Sequence, residues 1–206
     1  MKILLAAVNA KYIHSNLAVY SLKAYAEDPA VEIGEYTINQ QKDDILMDIY
    51  KRQPDILCLS CYIWNLDYIE EIVLEIGKLR PDMPIWLGGP EVSYHAEEML
   101  EQYPFLDGIM KGEGEITFRE LAVYYQNQEN GTEGKTLEEI HGITYRDAEG
   151  AIKSNPWRPV MDLSEVDFPY ANLKKFENRI IYYESSRGCP FSCSCLLYTS
   201  PSPLDA

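Results

Sequence analysis

Asp55-Ile56-Leu57-Cys58-Leu59-Ser60 and Pro84-Ile85-Trp86-Leu87-Gly88-Gly89-Pro90 are the segments on which the fold turns. Each is a short apolar run that stops at a polar residue or at glycine. Between them, from about Leu66 to Leu79, the residues Ile69, Ile72, Val73, Ile76 and Leu79 recur with the period of one helix face. Two continuous apolar strands joined by an amphipathic helix describe a βαβ unit whose strands are covered on both faces.

The same alternation extends in both directions. Upstream, Ile3 to Val8 is another continuous apolar run, and Ser15 or Asn16 can cap a helix reaching about Ala26. Val31 to Ile38 alternates apolar and polar residues, as a strand nearer the edge does, and Asp43 to Arg52 is helical with Ile45, Leu46 and Ile49 on one face. Downstream come a short helix over Tyr94 to Gln102, a short buried strand over Gly108 to Lys111, and a helix turning Phe118, Leu121, Ala122 and Tyr125 inward. Five strands and five helices in strict alternation predict an α/β, doubly wound, five-stranded parallel sheet over residues 1–126. Its expected strand order is 2-1-3-4-5, flavodoxin-like or Rossmann-like.

The pattern then changes. Asn127 to Lys135 is a polar loop, and Gly142–Tyr145 and Ala151–Ser154 flank Asp147-Ala148-Glu149-Gly150 as a small β-hairpin. A linker with prolines at 156, 159 and 169 follows, so residues 127–178 read as loop, hairpin and linker. Arg179 to Glu184 has the look of a new strand, opening a second domain over 179–194.

Composition narrows the possible partners. The 206 residues carry a net charge of −15, which repels phosphate backbones and argues against nucleic acid as a general partner. No apolar run approaches the ~20 residues of a membrane helix. The apolar opening is cut short by Asn9 and Lys11, so it reads as a buried strand rather than a signal peptide. A cytoplasmic protein is expected. Of five cysteines, Cys189, Cys193 and Cys195 lie within seven residues, and in a reducing compartment such a cluster suggests metal rather than disulfides.

Ligands of open parallel sheets bind beyond the C-terminal strand ends, near the point where strand order reverses. Four loops occupy that edge: Asn9–Ser15, Ser60–Asn65, Gly88–Ser93 and Gly112–Glu115. Gly88-Gly89 and Gly112-Glu113-Gly114 let backbone approach a bulky ligand without an intervening side chain. Neither matches a phosphate loop or a dinucleotide fingerprint.

Leu87-Gly88-Gly89-Pro90-Glu91-Val92-Ser93 followed by Gly112-Glu113-Gly114-Glu115 resembles the N-terminal domain of cobalamin-binding radical S-adenosylmethionine proteins. The hairpin and Asp162-Leu163-Ser164…Asp167-Phe168-Pro169 are similar to that family's linker. Ser185-Ser186-Arg187-Gly188-Cys189-Pro190-Phe191-Ser192-Cys193-Ser194 resembles the opening of its radical domain, whose first strand would be Arg179–Glu184. The resemblance implies cobalamin across the C-terminal edge, with Ser60 and Cys61 toward its nucleotide tail and Gly88 and Gly89 lining the slot. Asn9, Lys11, Tyr12, Tyr62, Pro90, Gly112, Glu113 and Gly114 complete the implied cofactor loops. It also implies a 4Fe–4S cluster, S-adenosylmethionine and an electron-donor protein for the whole enzyme. The substrate is not legible. Relatives with histidine-ligated cobalt carry Asp-x-His-x-x-Gly after the first strand. Here Tyr12 and Leu17 surround His14, so a loop or helix-cap role is expected of it, and His95 and His141 are expected at the surface.

The family's cluster motif is CxxxCxxC, with three thiolates holding three irons. Cys189 and Cys193 fit the first interval, but position 196 is Leu196 and Cys195 comes one residue early, which puts its role in doubt. The tail from Cys195 resembles translated sequencing-adapter DNA, so native coding is expected to end near Ser194, with residues 195–206 as read-through. A fragment cut inside the motif is expected to be inactive by itself. The competing reading is a flavodoxin-like module that binds no cobalamin.

Overall fold

The computed structural model describes residues 1–166, 168–170 and 172–187. Its centre is a sheet of strands β1 (Ile3–Asn9), β2 (Val31–Thr37), β3 (Ile56–Ser60), β4 (Ile85–Gly88) and β5 (Gly108–Met110), all parallel. Every residue of β1 and β3 is buried, as their unbroken apolar runs require, whereas β2 lies at the sheet edge and is only partly buried, without the strict alternation its sequence suggests. The order β2-β1-β3-β4-β5 is the one expected, and the order reverses between β1 and β3.

Helices α1 (Leu17–Ala26), α2 (Lys42–Arg52), α3 (Leu66–Leu79), α4 (Pro90–Ser93), α5 (Ala96–Gln102) and α6 (Glu115–Asn130) link the strands. Asn16 caps α1 by accepting from the Val19 N–H, and Gly131, in the left-handed region at φ 64°, ends α6. One core gathers Ile45, Ile49, Ile69, Ile72, Ile76 and Leu100 from α2, α3 and α5. The other gathers Val19, Phe118, Leu121 and Ala122 from α1 and α6 around Trp86. These are the two covered faces of a doubly wound sheet. The stripe of α3 is buried except at Leu79, which is 54% exposed because the helix ends there and turns away. The expected helix over Tyr94–Gln102 forms as α5, which begins two residues later at Ala96, and a separate short turn of helix, α4, precedes it.

The hairpin of β6 (Ile143–Arg146) and β7 (Ile152–Ser154) forms as expected, with the Asp147 carboxylate accepting from Glu149 and Ala151 N–H. It is no separate unit, however. β6 pairs antiparallel with β5, making the sheet seven-stranded and burying Ile143, Thr144 and Tyr145. Helix α6 also runs past the expected boundary at 126.

Arg179–Glu184 does not form the expected strand. A strand needs a neighbour along its length, and among the described residues this stretch has one bridge, Ile180 to His14. The Ile180 N–H donates to Ile13 O at 2.6 Å and Ile180 O accepts from the Ser15 N–H at 3.0 Å. Among the described residues no helix is long and apolar enough to cross a membrane.

Candidate functional site

The four loops expected to bear ligand are brought side by side at the C-terminal edge by the strand order. Buried polar side chains sew them together. Asn65 Nδ2 donates to Val8 O (2.9 Å) and Ser60 O (3.1 Å), while its Oδ1 accepts from the Tyr62 N–H (2.8 Å). That one amide spans the switch point between β1 and β3. Asn16 Nδ2 reaches Ser60 Oγ at 3.3 Å. Ser93 Oγ donates to Gly89 O (2.8 Å) and accepts from the Gly112 N–H (3.2 Å), joining the third loop to the fourth.

The residues singled out from sequence divide into inner and outer sets. Asn9 is buried, its amide donating to His14 O and to Glu35 Oε1, so it shapes the first loop. Ser60 is buried too. Cys61 is wholly buried and offers the edge its backbone, whose N–H donates to Gly88 O at 2.7 Å. Burial pushes the Cys61 thiol above its ordinary value and the Cys58 thiol up to about 12, so both stay neutral and unreactive near neutral pH.

Gly89 is glycine for a reason other than ligand approach. Its φ is +117°, and a Cβ there would stand 2.3 Å from Cys61 O, so two loops could not pack. Gly88 differs. A Cβ on it would make only ordinary contacts, the nearest with Met110 at 3.6 Å, so packing within the fold does not require glycine there. Gly112 (φ +70°) faces Trp157, Gly114 stands against Leu22, and Glu113 accepts from the Met161 N–H at 2.8 Å. The fourth loop is thus committed largely to the linker.

Outward stand Lys11, Tyr12, Ile63, Trp64 and Pro90, with Tyr62 half-buried beside Trp64. Tyr12 is 77% and Ile63 80% exposed, and Tyr62 and Trp64 stack with centroids 4.5 Å apart. Exposed apolar tips beside a polar strand-end edge carrying a glycine pair suit a large planar ligand with a polar tail. That set of residues fits a corrinoid.

A family model described as the B12 binding domain matches residues 3–122, well over half the chain. The chain belongs to the B12-binding domain family. Cobalamin is accordingly this domain's cofactor, and the competing cobalamin-free module is set aside. A solved structure of the cobalamin-dependent S-adenosylmethionine radical enzyme OxsB, with aqua-cobalamin and S-adenosylmethionine bound, is similar at TM-score 0.71 and 27% identity. The match covers 92% of this chain and 27% of that one. Among curated proteins, 2-(S-pantetheinyl)-carbapenam-3-carboxylate methyltransferase of Streptantibioticus cattleyicolor is 28% identical over 84% of this chain and 27% of its own length. The cobalamin-dependent radical SAM methyltransferase TokK of Streptomyces tokunonensis is 29% identical over 69% and 22%. The chain therefore spans about a quarter of the relatives it matches.

In this B12-binding domain His14 sits on the first loop with Nδ1 2.5 Å from Tyr182 Oη, and His95 and His141 are exposed. Among the described residues no three His, Cys, Asp or Glu side chains gather as a metal site. Cys189, Cys193, Cys195 and the tail lie outside the described residues.

Reading the sequence missed the side chains that dock the linker. Glu35, at the edge strand, accepts from Asn16 N–H, Asn9, Tyr20 Oη (2.7 Å) and Arg179 Nη1 (2.6 Å). Burial pushes its carboxyl up, but the hydrogen bonds from Arg179, Tyr20 and Asn16 outweigh that and hold it below its ordinary value. Tyr170 and Phe176 pack on Tyr20, and Tyr170 Oη meets Ser15 Oγ at 3.1 Å. No local sequence signal marks partners 144 residues apart.

Proposed function

We propose that this domain presents cobalamin to a radical S-adenosylmethionine centre within one enzyme, catalysing methyl transfer or a related radical reaction. The observation that carries this is the extent of the likeness. The match to the radical enzyme covers 92% of the chain, reaching past the B12-binding domain through hairpin and linker. Relatives named as methyltransferases favour methyl transfer, and a relative named as a magnesium-protoporphyrin ester cyclase keeps other radical chemistry open.

Lys11, Tyr12, Ser60, Tyr62, Gly88, Gly89 and Pro90 are the residues we assign to the cofactor edge. Tyr12, Tyr62 and the neighbouring Trp64 would cover the macrocycle, and the crevice at Ser60 and Gly88 would take the nucleotide tail. Gly112, Glu113 and Gly114 flank it. Cys189 and Cys193 are the proposed thiolate ligands of a 4Fe–4S cluster that chelates S-adenosylmethionine, with Cys195 out of register. Bound cobalamin supplies a methyl carrier, and the protein positions and shields it. A cytoplasmic setting with an electron-donor protein follows from a cluster that must be kept reduced.

Titration of the chain with hydroxocobalamin, followed by equilibrium dialysis and visible spectra, tests the reading. One-to-one binding without a histidine-ligated spectrum is expected, since the Asp-x-His-x-x-Gly pattern is absent. Binding of flavin with none of cobalamin would overturn it.

A further inference from the structure

Glu115 is a carboxylate in an unusual place. It is the first residue of α6, only 4% exposed, and directly follows the glycine-rich loop after β5. Its Oε1 accepts from Arg187 Nη2 at 2.5 Å and its Oε2 from Arg187 Nη1 at 3.2 Å, a bidentate fork. Arg187 Nε donates to Glu184 Oε2 at 2.8 Å, and Glu113 Oε2 stands 3.7 Å from Nη1. All edges of the guanidinium are occupied, and these contacts with Glu184 and Glu115 raise its pKa although burial works against the charge. Among the described residues Arg187 is the ion-pair partner that Glu115 has.

This pair joins positions 72 residues apart, and Arg187 stands two residues before Cys189. Two residues of chain reach at most about 7 Å. Fixing Arg187 therefore restricts where the cysteine segment can begin. Loss of the fork would leave a charge buried without its partner, so the open state is disfavoured.

We propose that Glu115, assisted by Glu113, is a positioning residue: it docks Arg187 and so tethers the chain that leads into the Cys189–Cys193 segment at the C-terminal edge. The loop Gly112-Glu113-Gly114-Glu115 thus also brings two carboxylates to one arginine. The proposal rests on reading that segment as the start of the cluster-binding region, but its test does not depend on cobalamin.

The test is limited trypsin digestion of the full chain, following cleavage at Arg187–Gly188 by mass spectrometry. The protease must take the arginine side chain into its own pocket, so cleavage reports the fraction of undocked Arg187. Cleavage at the exposed Lys174 and Lys175 is the internal reference. Glu115→Gln is expected to speed cleavage at Arg187 on the order of tenfold relative to that reference, since the rate follows the open population. Glu115→Asp, which restores the charge, is expected to recover most of the protection. Circular dichroism checks that each variant folds. Should Glu115→Gln fail to fold, Arg187→Lys gives the same answer, because lysine keeps the charge and the cleavage site but cannot make the fork. It too is expected to be cut faster. Equal relative rates at position 187 in the wild type and a folded variant would overturn the proposal. Failure of cobalamin to bind the wild type, with docking intact, would instead count against the proposed function.

Discussion

Residues 3–130 and residues 156–187 are held by different forces. In the first region seven of seven β1 residues and five of five β3 residues are buried, and two apolar cores close the sheet faces. In the second, the described residues form two 3-10 turns, Leu163–Glu165 and Leu173–Phe176. Its hold on the rest includes ion pairs from the half-buried Arg158, Arg179 and Arg187, the edge-on packing of Tyr20, Tyr170 and Phe176, and a bridge at Ile180. Apolar burial is non-directional and indifferent to pH, whereas ion pairs between irregular segments depend on the ionisation of each partner. The sheet can therefore stay folded while the linker leaves, and the cofactor edge is where the two meet.

The largest expected effect breaks the sheet itself. Trp86 is wholly buried on β4, with Nε1 donating to Tyr125 Oη at 2.9 Å, and Gly108 on β5 is glycine because a Cβ would press 2.3 Å against its ring. Trp86→Ala should cost ~3–5 kcal/mol in urea unfolding, through the cavity it leaves. Both regions should then unfold in one transition. A loss below about 1 kcal/mol would mean that the core does not hinge on this ring.

Gly89→Ala is next, and it targets the edge without the cores. The strained φ costs ~1–3 kcal/mol by itself, and the clash with Cys61 O must push two cofactor loops apart. Cobalamin affinity should fall at least about tenfold, the equivalent of 1.4 kcal/mol. Gly88→Ala, whose Cβ meets ordinary contacts, should cost little stability yet still weaken binding by filling the slot. Similar behaviour of the two variants in stability would sink the distinction between a packing glycine and a cradle glycine.

What was legible in the sequence follows the same division. Strand and helix periods repeat within a few residues, so β1, β3, α3 and the strand order could be read, and Leu79 failed only because it is the last residue of its helix. The hairpin was legible from its turn, but its union with β5 was not, because edge pairing is a tertiary choice. Arg179–Glu184 has the composition of a strand and lacks the partner. At the site, the glycine loops were visible, whereas Asn16, Asn65 and Ser93 look like ordinary turn and cap residues until the loops they join are adjacent. Glu35 and Arg179 carry no pattern that pairs them.

Glu35→Gln should release the linker while sparing the sheet. Replacing the carboxylate leaves the Arg179 guanidinium, its side chain 15% exposed, without its counter-charge. The expected cost is ~1–3 kcal/mol, below that of a fully buried pair. Hydrogen exchange should quicken in residues 172–182 and stay unchanged in β1 and β3. Uniform quickening across both regions would mean that they form one cooperative unit.

The smallest effect is on pH, and it sharpens the same comparison within the wild type. The folded pKa of Glu35 lies below its ordinary value. A group with a depressed folded pKa contributes stability that is fully present above the unfolded value, about 4.3 for glutamate, and is lost as pH falls through the folded value. Linker docking should therefore be constant from neutral pH down to about 5, then weaken as the medium is acidified past the ordinary glutamate range. The buried sheet has no equivalent dependence on this carboxylate. Exchange rates of residues 172–182, corrected for their intrinsic pH dependence, should rise in that acidic window ahead of those in β1. In Glu35→Gln the same segment should already exchange fast and show no further step from this group. An identical acid transition in wild type and variant would assign the step to another carboxylate, with Glu115 beneath Arg187 the one to test next.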